Sequence, residues 1–228
     1  MKKMISLMVV AFMATATFAQ SAVELAKQQR ELNNIHMKML NAKPSKDAKK
    51  QAKAYKKEGW QVPVGEQAME KQITKSQLYE QEMMTTEEGG YTQRFLQHTS
   101  QATSGSYNTG YASARAACMA EVASMLETNL GAAWKNAMDN AEMSAISATT
   151  NDKFNQRAMG VVKQSLTNSI PMVVIYRVLP NNLYQVSVRL AFDKKEIAAQ
   201  LKRNLKKELE MDGDKLDGMV EDMMCKDM

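Results

Sequence analysis

The chain has 228 residues, 44% of them hydrophobic, and a formal charge of +5. That excess is too small to call for a nucleic-acid partner, and beyond the N-terminus no run approaches the ~20 apolar residues of a membrane-spanning helix. With the first nineteen residues set aside, about 209 remain, enough for one core with helical extensions or for two small domains.

Those nineteen residues read as a signal peptide. Lys2 and Lys3 form a positive start, residues 5–12 are apolar, and Thr17 and Ala19 place small side chains at the −3 and −1 positions before Gln20. A buried amphipathic helix is the alternative, but the run lacks helical charge periodicity. Removal of Lys2 and Lys3 lowers the formal charge from +5 to +3. No Cys stands directly after the apolar run to accept a lipid. The expected product is a free, soluble protein without a transmembrane span, exported to the periplasm or the outer-membrane periphery.

Residues 21–40 predict a helix, with Ser21 as N-cap, Glu24 three residues on, and Val23, Leu25, Leu32, Ile35, Met39 and Leu40 as apolar positions. Pro44 ends it. A second helix runs from Ser45 or Lys46 to Glu58, with Ala48, Ala52, Ala54 and Tyr55 as its only apolar content. Seven lysines fall between 43 and 57 against the single Asp47. Such a local field attracts acidic lipid head groups, anionic glycans or the acidic face of a partner, while a solvated helix face is the bland alternative. The candidate anionic-surface contacts are Lys46, Lys49, Lys50, Lys53, Lys56 and Lys57. Gly59 supplies a C-cap position, Trp60 is an anchor onto something apolar, and residues 62–65 are extended. A third helix is expected over 66–84, carrying Met69, Ile73, Leu78 and Met83, and it breaks at Gly89-Gly90.

Residues 91–102 alternate loosely and predict a polar strand, solvent-facing on one side or lying at a sheet edge. Residues 103–110 form a loop. A helix starts at Thr109 or Gly110, where Tyr111, Ala114, Cys118, Val122 and Met125 recur at three- and four-residue steps, and it continues or breaks near Gly131. Another amphipathic helix is expected over 152–169, with Phe154, Ala158, Val161, Val162, Ser165 and Leu166. It leads into PMVVIYRVLPNNLYQVSVRLAF, residues 171–192. Two strand-like runs there flank Pro180-Asn181-Asn182, a reversal whose Asn tolerates left-handed backbone. After this hairpin, Asp193 and Glu196 read as a cap, and Ile197, Leu201, Leu205 and Leu209 recur every fourth residue. Residues 211–228 are acid-rich and predict a frayed or short-helical tail.

The run AKAYKKEGWQVPVGEQAMEKQ, residues 52–72, resembles a segment recurring in exported proteins of Bacteroidetes. The downstream part, residues 91–209, with its strand, the Tyr111-Ala112-Ser113-Ala114-Arg115 helix start and the closing hairpin, is similar in layout to the lipoprotein-20 family of bacterial envelope proteins. That resemblance implies an envelope setting and carries over no catalytic residue.

Chemistry-bearing motifs are sparse. His36 and His98 have no Cys, Asp or His at ligand spacing, and there is no nucleophile elbow, phosphate loop or paired-carboxylate pattern. Residues 212–218 look like a calcium loop but place Leu216 at position five, Asp217 at six and Met223 at twelve, so the bidentate ligand is missing. Twenty methionines raise soft Cu(I) ligation, but most fall on apolar helix faces where Met is a flexible filler. Cys118 and Cys225 either pair or stand as a buried thiol and a tail thiol.

The expectation is an α+β fold: a small antiparallel sheet of about three strands, covered on one face by helices, with a helical N-terminal extension. The boundaries are a signal peptide at 1–19, the extension at 20–88, the α+β domain at 89–210 and an acidic flexible tail at 211–228. The leading functional reading is a non-enzymatic envelope protein that acts through a protein partner, an anionic envelope surface or self-association, with no cofactor and no metal. A small-ligand binding module, with a pocket lined by Tyr111, Tyr176 and Tyr184, is the alternative. An enzyme would need Arg115, Arg177 or Arg189 to converge in one cleft.

Overall fold

The computed structural model describes residues 43–86, 89–139, 160–166, 168–209, 218–220 and 223–224. The expected signal peptide and the helix at 21–40 lie outside the described residues. In chain order the elements are α1 (Lys46–Lys57), α2 (Met69–Glu80), β1 (Met83–Thr85), β2 (Tyr91–Gln93), β3 (Phe95–Ser104), α3 (Tyr107–Asp139), β4 (Ser169–Val178), β5 (Tyr184–Asp193) and α4 (Lys194–Leu209).

The β4–β5 hairpin forms as its pattern requires. Leu179 N donates to Leu183 O at 2.8 Å, Leu183 N donates to Asn181 Oδ1, and Asn182 takes the left-handed conformation with φ 59°. β5 is the central strand of a three-stranded antiparallel sheet in the order β3-β5-β4. The strand-pairing choice that pattern leaves open is thereby settled: β3 pairs with β5, from Phe95↔Asp193 to Ser104↔Tyr184.

Alternation along β5 turns Val186, Val188, Leu190 and Phe192 to one face. There they meet Leu96 and Val174 from the neighbouring strands, Ala114, Cys118, Val122 and Leu126 of α3, and Ile197, Leu201 and Leu205 of α4. Val161, Val162 and Leu166, from the helical turn at 160–165 and the residue after it, complete this layer. Each fully buried aliphatic or aromatic side chain contributes about 1.5–3 kcal/mol, so this layer is the main stabilising element. α3 runs through Gly131 without a break for 33 residues. It begins at Tyr107, earlier than the pattern places it, because Ser106 Oγ accepts from Thr109 N and caps the first turn.

The α+β class and the helix-covered sheet agree with the sequence reading, and the structure adds a cover on the second face. Ser76 of α2 exchanges two hydrogen bonds with Gln97 of β3, at 2.6 and 2.7 Å, and Arg189 Nη1 donates to Ser76 Oγ at 3.0 Å. Tyr79 packs on Phe95 with ring centroids 4.5 Å apart. α1 packs in turn on α2, burying Ala48 and Ala52, and Ser45 N and Oγ donate to Thr74 and Gln77. The residues assigned to an N-terminal extension from 44 onward are therefore part of the sheet's own unit.

Two expected elements are corrected. The helix expected over 66–84 spans only Met69–Glu80, because Met83, Met84 and Thr85 pair with Gln93, Thr92 and Tyr91 in a small separate hairpin. The strand expected over 91–102 divides at Arg94, whose N donates to Glu82 O at 2.8 Å. Its guanidinium binds Glu82 Oε1 and Asp193 Oδ2, each at 2.7 Å. This charge cluster turns the chain from the small hairpin into the main sheet. Of the tail expected to be frayed or short-helical, residues 218–220 and 223–224 are helical; Met219, Val220, Met223 and Met224 join the core, and Met224 O accepts from the buried Lys194 Nζ at 3.1 Å. Among the described residues, no helix is long and apolar enough to cross a membrane.

Candidate functional site

α1 is a short helix with well-matched ends. Ser45 Oγ accepts from Ala48 N at 2.9 Å, Asp47 lies in the first turn, and Lys56 and Lys57 lie in the last. At 100° per residue, Lys46, Lys49, Lys50, Lys53, Lys56 and Lys57 occupy an arc of roughly 120°, turned away from Ala48 and Ala52. All six are exposed. Among the described residues Lys56 alone of the six is ion-paired, to Glu70 Oε1 at 2.5 Å. The hydrogen bond from Lys56 holds the Glu70 carboxyl below its ordinary value, helped by a backbone hydrogen bond and by the charges of Lys56 and Lys49. The sequence-predicted lysines thus form one continuous cationic face, presented on a helix anchored from behind.

The three predicted tyrosines also come together. Tyr176 and Tyr184, adjacent on the hairpin, have ring centroids 6.2 Å apart. Tyr107 stacks on Tyr111 at 6.2 Å and meets Tyr176 edge-on at 5.3 Å. Sequence reasoning misses Tyr107 because it starts the helix two or three residues late, which leaves this residue in a loop. Once α3 begins at Tyr107, Tyr107 and Tyr111 are one turn apart and face the same way. Burial, then the neighbouring Tyr111, Glu66 and Tyr176, push the Tyr107 phenol above its ordinary value. Where a pocket was expected between the sheet and the Tyr111 helix, the Tyr107 ring lies against Tyr111 and Tyr176.

A polar cluster that sequence reasoning misses lies where β3 meets α3. His98 and Ser100 project from the same face of β3 two residues apart. Glu121 Oε2 accepts from Ser100 Oγ and lies 2.7 Å from His98 Nε2. These bonds, that from Ser100 first, hold the Glu121 carboxyl below its ordinary value. The cluster borders a groove of about 510 Å³ lined by His98, Glu121, Ser124, Met125, Thr128 and Asn129. Both partners bond to the same carboxylate oxygen, so Ser100 has no imidazole as its base, and a serine–histidine–acid relay is not formed. Nearby, Cys118 Sγ donates to His98 O at 3.3 Å, and burial pushes its thiol up to about 11. At neutral pH it is a protonated packing group. Cys225 lies outside the described residues.

The three arginines do not converge. Arg115 Nη2 donates to Ser169 Oγ at 3.2 Å. On the other face, Arg177 lies 4.7 Å over the Trp60 ring and donates to Gln185, while Arg189 donates to Thr99 and Ser76. Among the described residues, each of the three bonds to a different set of partners. Trp60 is buried under Arg177, as its role as an anchor predicts. Among the described residues, no group of three His, Cys, Asp or Glu side chains is placed to hold a metal ion. Met219, Met223 and Met224 serve the apolar core. No family model, curated protein or solved structure matches the chain.

Proposed function

We propose that this is a non-enzymatic, exported cell-envelope protein that works by association, engaging an anionic partner of the envelope through the lysine face of α1. The observation that carries this reading is the arc of six exposed lysines, five of them without an ion pair among the described residues, on a helix fixed by Ser45, Ala48 and Ala52. Lysines on such a face retain their attraction for a surface of opposite charge, whereas a lysine such as Lys56 is partly neutralised internally. The N-terminal signal-peptide pattern and the resemblance to lipoprotein-20 proteins support an envelope setting.

The test is capture from envelope extract and co-sedimentation with vesicles containing anionic lipid. The protein is compared with a Lys49→Gln, Lys50→Gln, Lys53→Gln variant at rising salt. Salt-sensitive retention that is lost in the variant is expected. Equal retention by both proteins overturns the reading.

A small-ligand module centred on Tyr111, Tyr176 and Tyr184 is the second reading, favoured by the meeting of these rings. Tyr107 lies against two of these rings, so shortening it gives a ligand more room there. Ligand-induced thermal shifts larger in Tyr107→Ala than in the parent are expected on this reading, and no response in either removes it.

A further inference from the structure

The two edges of the sheet are treated differently. The outer edge of β4 is guarded: Gln61 bridges to Tyr176 with hydrogen bonds of 2.7 and 2.9 Å, and Gln72 Oε1 accepts from Val174 N at 2.8 Å. Pro171 and a register shift between Pro171 and Val173 break its regularity further. These are the devices by which proteins stop strands adding to a sheet. Among the described residues, β3 has none of them. Its ten residues, FLQHTSQATS, contain no Lys, Arg, Asp, Glu, Pro or Gly, and its register with β5 is continuous throughout. Among the described residues, β5 is its only strand neighbour.

We propose that the free edge of β3 is a self-association surface, on which a second copy of this chain adds its own β3 antiparallel and joins two three-stranded sheets into one. Three observations favour a second copy over a foreign strand. First, an uncharged strand pairs with itself without setting like charges opposite one another, and Ser, Thr and Gln make favourable cross-strand pairs. Second, β3 carries no fixed charge that would select a charged partner. Third, a twofold axis at Thr99 or Ser100 pairs residues of like parity. Each copy's α3 layer then continues into the other's, as does the α2 layer, and no side chain changes face. The groove beside His98 lies on the α3 side of this edge, with Ser124 and Thr128 leaving room for a second helix to approach. The Glu121 carboxylate there is already taken up by His98 and Ser100 of its own chain.

This inference takes up the self-association arm of the functional reading, yet it stands on a different surface, so the two fail separately. The experiment is a sedimentation concentration series on the purified protein, on Gln101→Lys with Thr103→Lys, on Gln101→Ser with Thr103→Ser, and on the α1 lysine-to-glutamine variant. Hydrogen exchange at the amides of residues 95–104 is read at low and high concentration of the unmodified protein. Both substituted positions are exposed. Expected are a dimer in the unmodified, serine and α1-variant proteins, association weakened by about tenfold or more in the lysine pair, and alternate β3 amides that gain protection with concentration. The proposal is overturned by a monomer at every concentration, by a dimer whose β3 amides exchange as in the monomer, or by protection of β3 that appears only on adding envelope extract. The last assigns the edge to a foreign strand. Loss of dimer in the α1 variant alone also overturns it, moving self-association to the lysine face.

Discussion

Gly110 sets the distance between α3 and β5: a Cβ at this position would stand 2.8 Å from Cγ2 of Val186, a side chain with no solvent exposure. Alanine is the better helix former by about 1 kcal/mol, but here it meets a stiff β-branched neighbour in a filled core. Overpacking wins. Gly110→Ala is expected to destabilise by about 1–3 kcal/mol, read as a lowered denaturant midpoint. Adding Val186→Ala is expected to recover part of that loss, with a coupling term that a distant pair would not show.

Gly131 is the contrasting case. It lies in the interior of α3 and is exposed, and a Cβ added there would meet nothing within 4 Å. Gly131→Ala removes backbone freedom from the unfolded chain without a clash. A gain of about 0.5–1 kcal/mol, with a raised melting temperature, is expected. Destabilisation would show that α3 does not continue through this residue.

Cys118 predicts a loss of stability in mild alkali. Below its ordinary pKa of 9.0 the thiol is protonated in both folded and unfolded chains. Between 9.0 and about 11 the unfolded chain releases the proton while the buried site retains it, so stability falls as pH rises through this window. Tyr79, pushed up to about 12 by burial, acts the same way from its ordinary value of 10.0 upward. Denaturant unfolding at stepped pH values is expected to show a shallower decline between 9.0 and about 11 in Cys118→Ala. In the folded protein at about pH 8, thiol reagents are expected to leave Cys118 unmodified, which mass spectrometry of its peptide reads directly.

Met223 distinguishes a packed C-terminal segment from a loose one. Its side chain is fully buried with Met219, Val220 and Met224 against the core shared by α3 and α4. Met223→Ala is expected to cost about 2–5 kcal/mol, as for other large-to-small core changes. In a solvated tail the same change would alter stability by less than about 0.5 kcal/mol.

That segment also shows where pattern reading stops short. Met219 and Met223, and likewise Val220 and Met224, recur at four-residue steps, so an apolar stripe is present. It is masked by the six acidic residues of 211–228 and by treating Met as filler. Tyr107 is hidden by a small error in a helix start, since its cap, Ser106, sits among other Ser, Gly and Asn residues that read equally well as loop. The His98–Glu121 pair joins residues 23 apart, a separation at which no local periodicity operates.

By itself, the amino-acid sequence determined the β4–β5 hairpin, its Asn-bearing turn, the apolar face of β5, the helices that cover it and the lysine arc of α1. All depend on periodicities of two or 3.6 residues and on turn chemistry acting over a few residues. Only the tertiary structure decided that β3 pairs with β5, that α2 covers the second face through Ser76, Gln97 and Arg189, and that Tyr107 meets both Tyr111 and Tyr176. These are contacts between distant segments, selected by shape and hydrogen-bond satisfaction when the elements assemble. Among the described residues, the same assembly leaves β3 with one strand neighbour while Gln61 closes the outer edge of β4, a difference that exists only once the strand order is set.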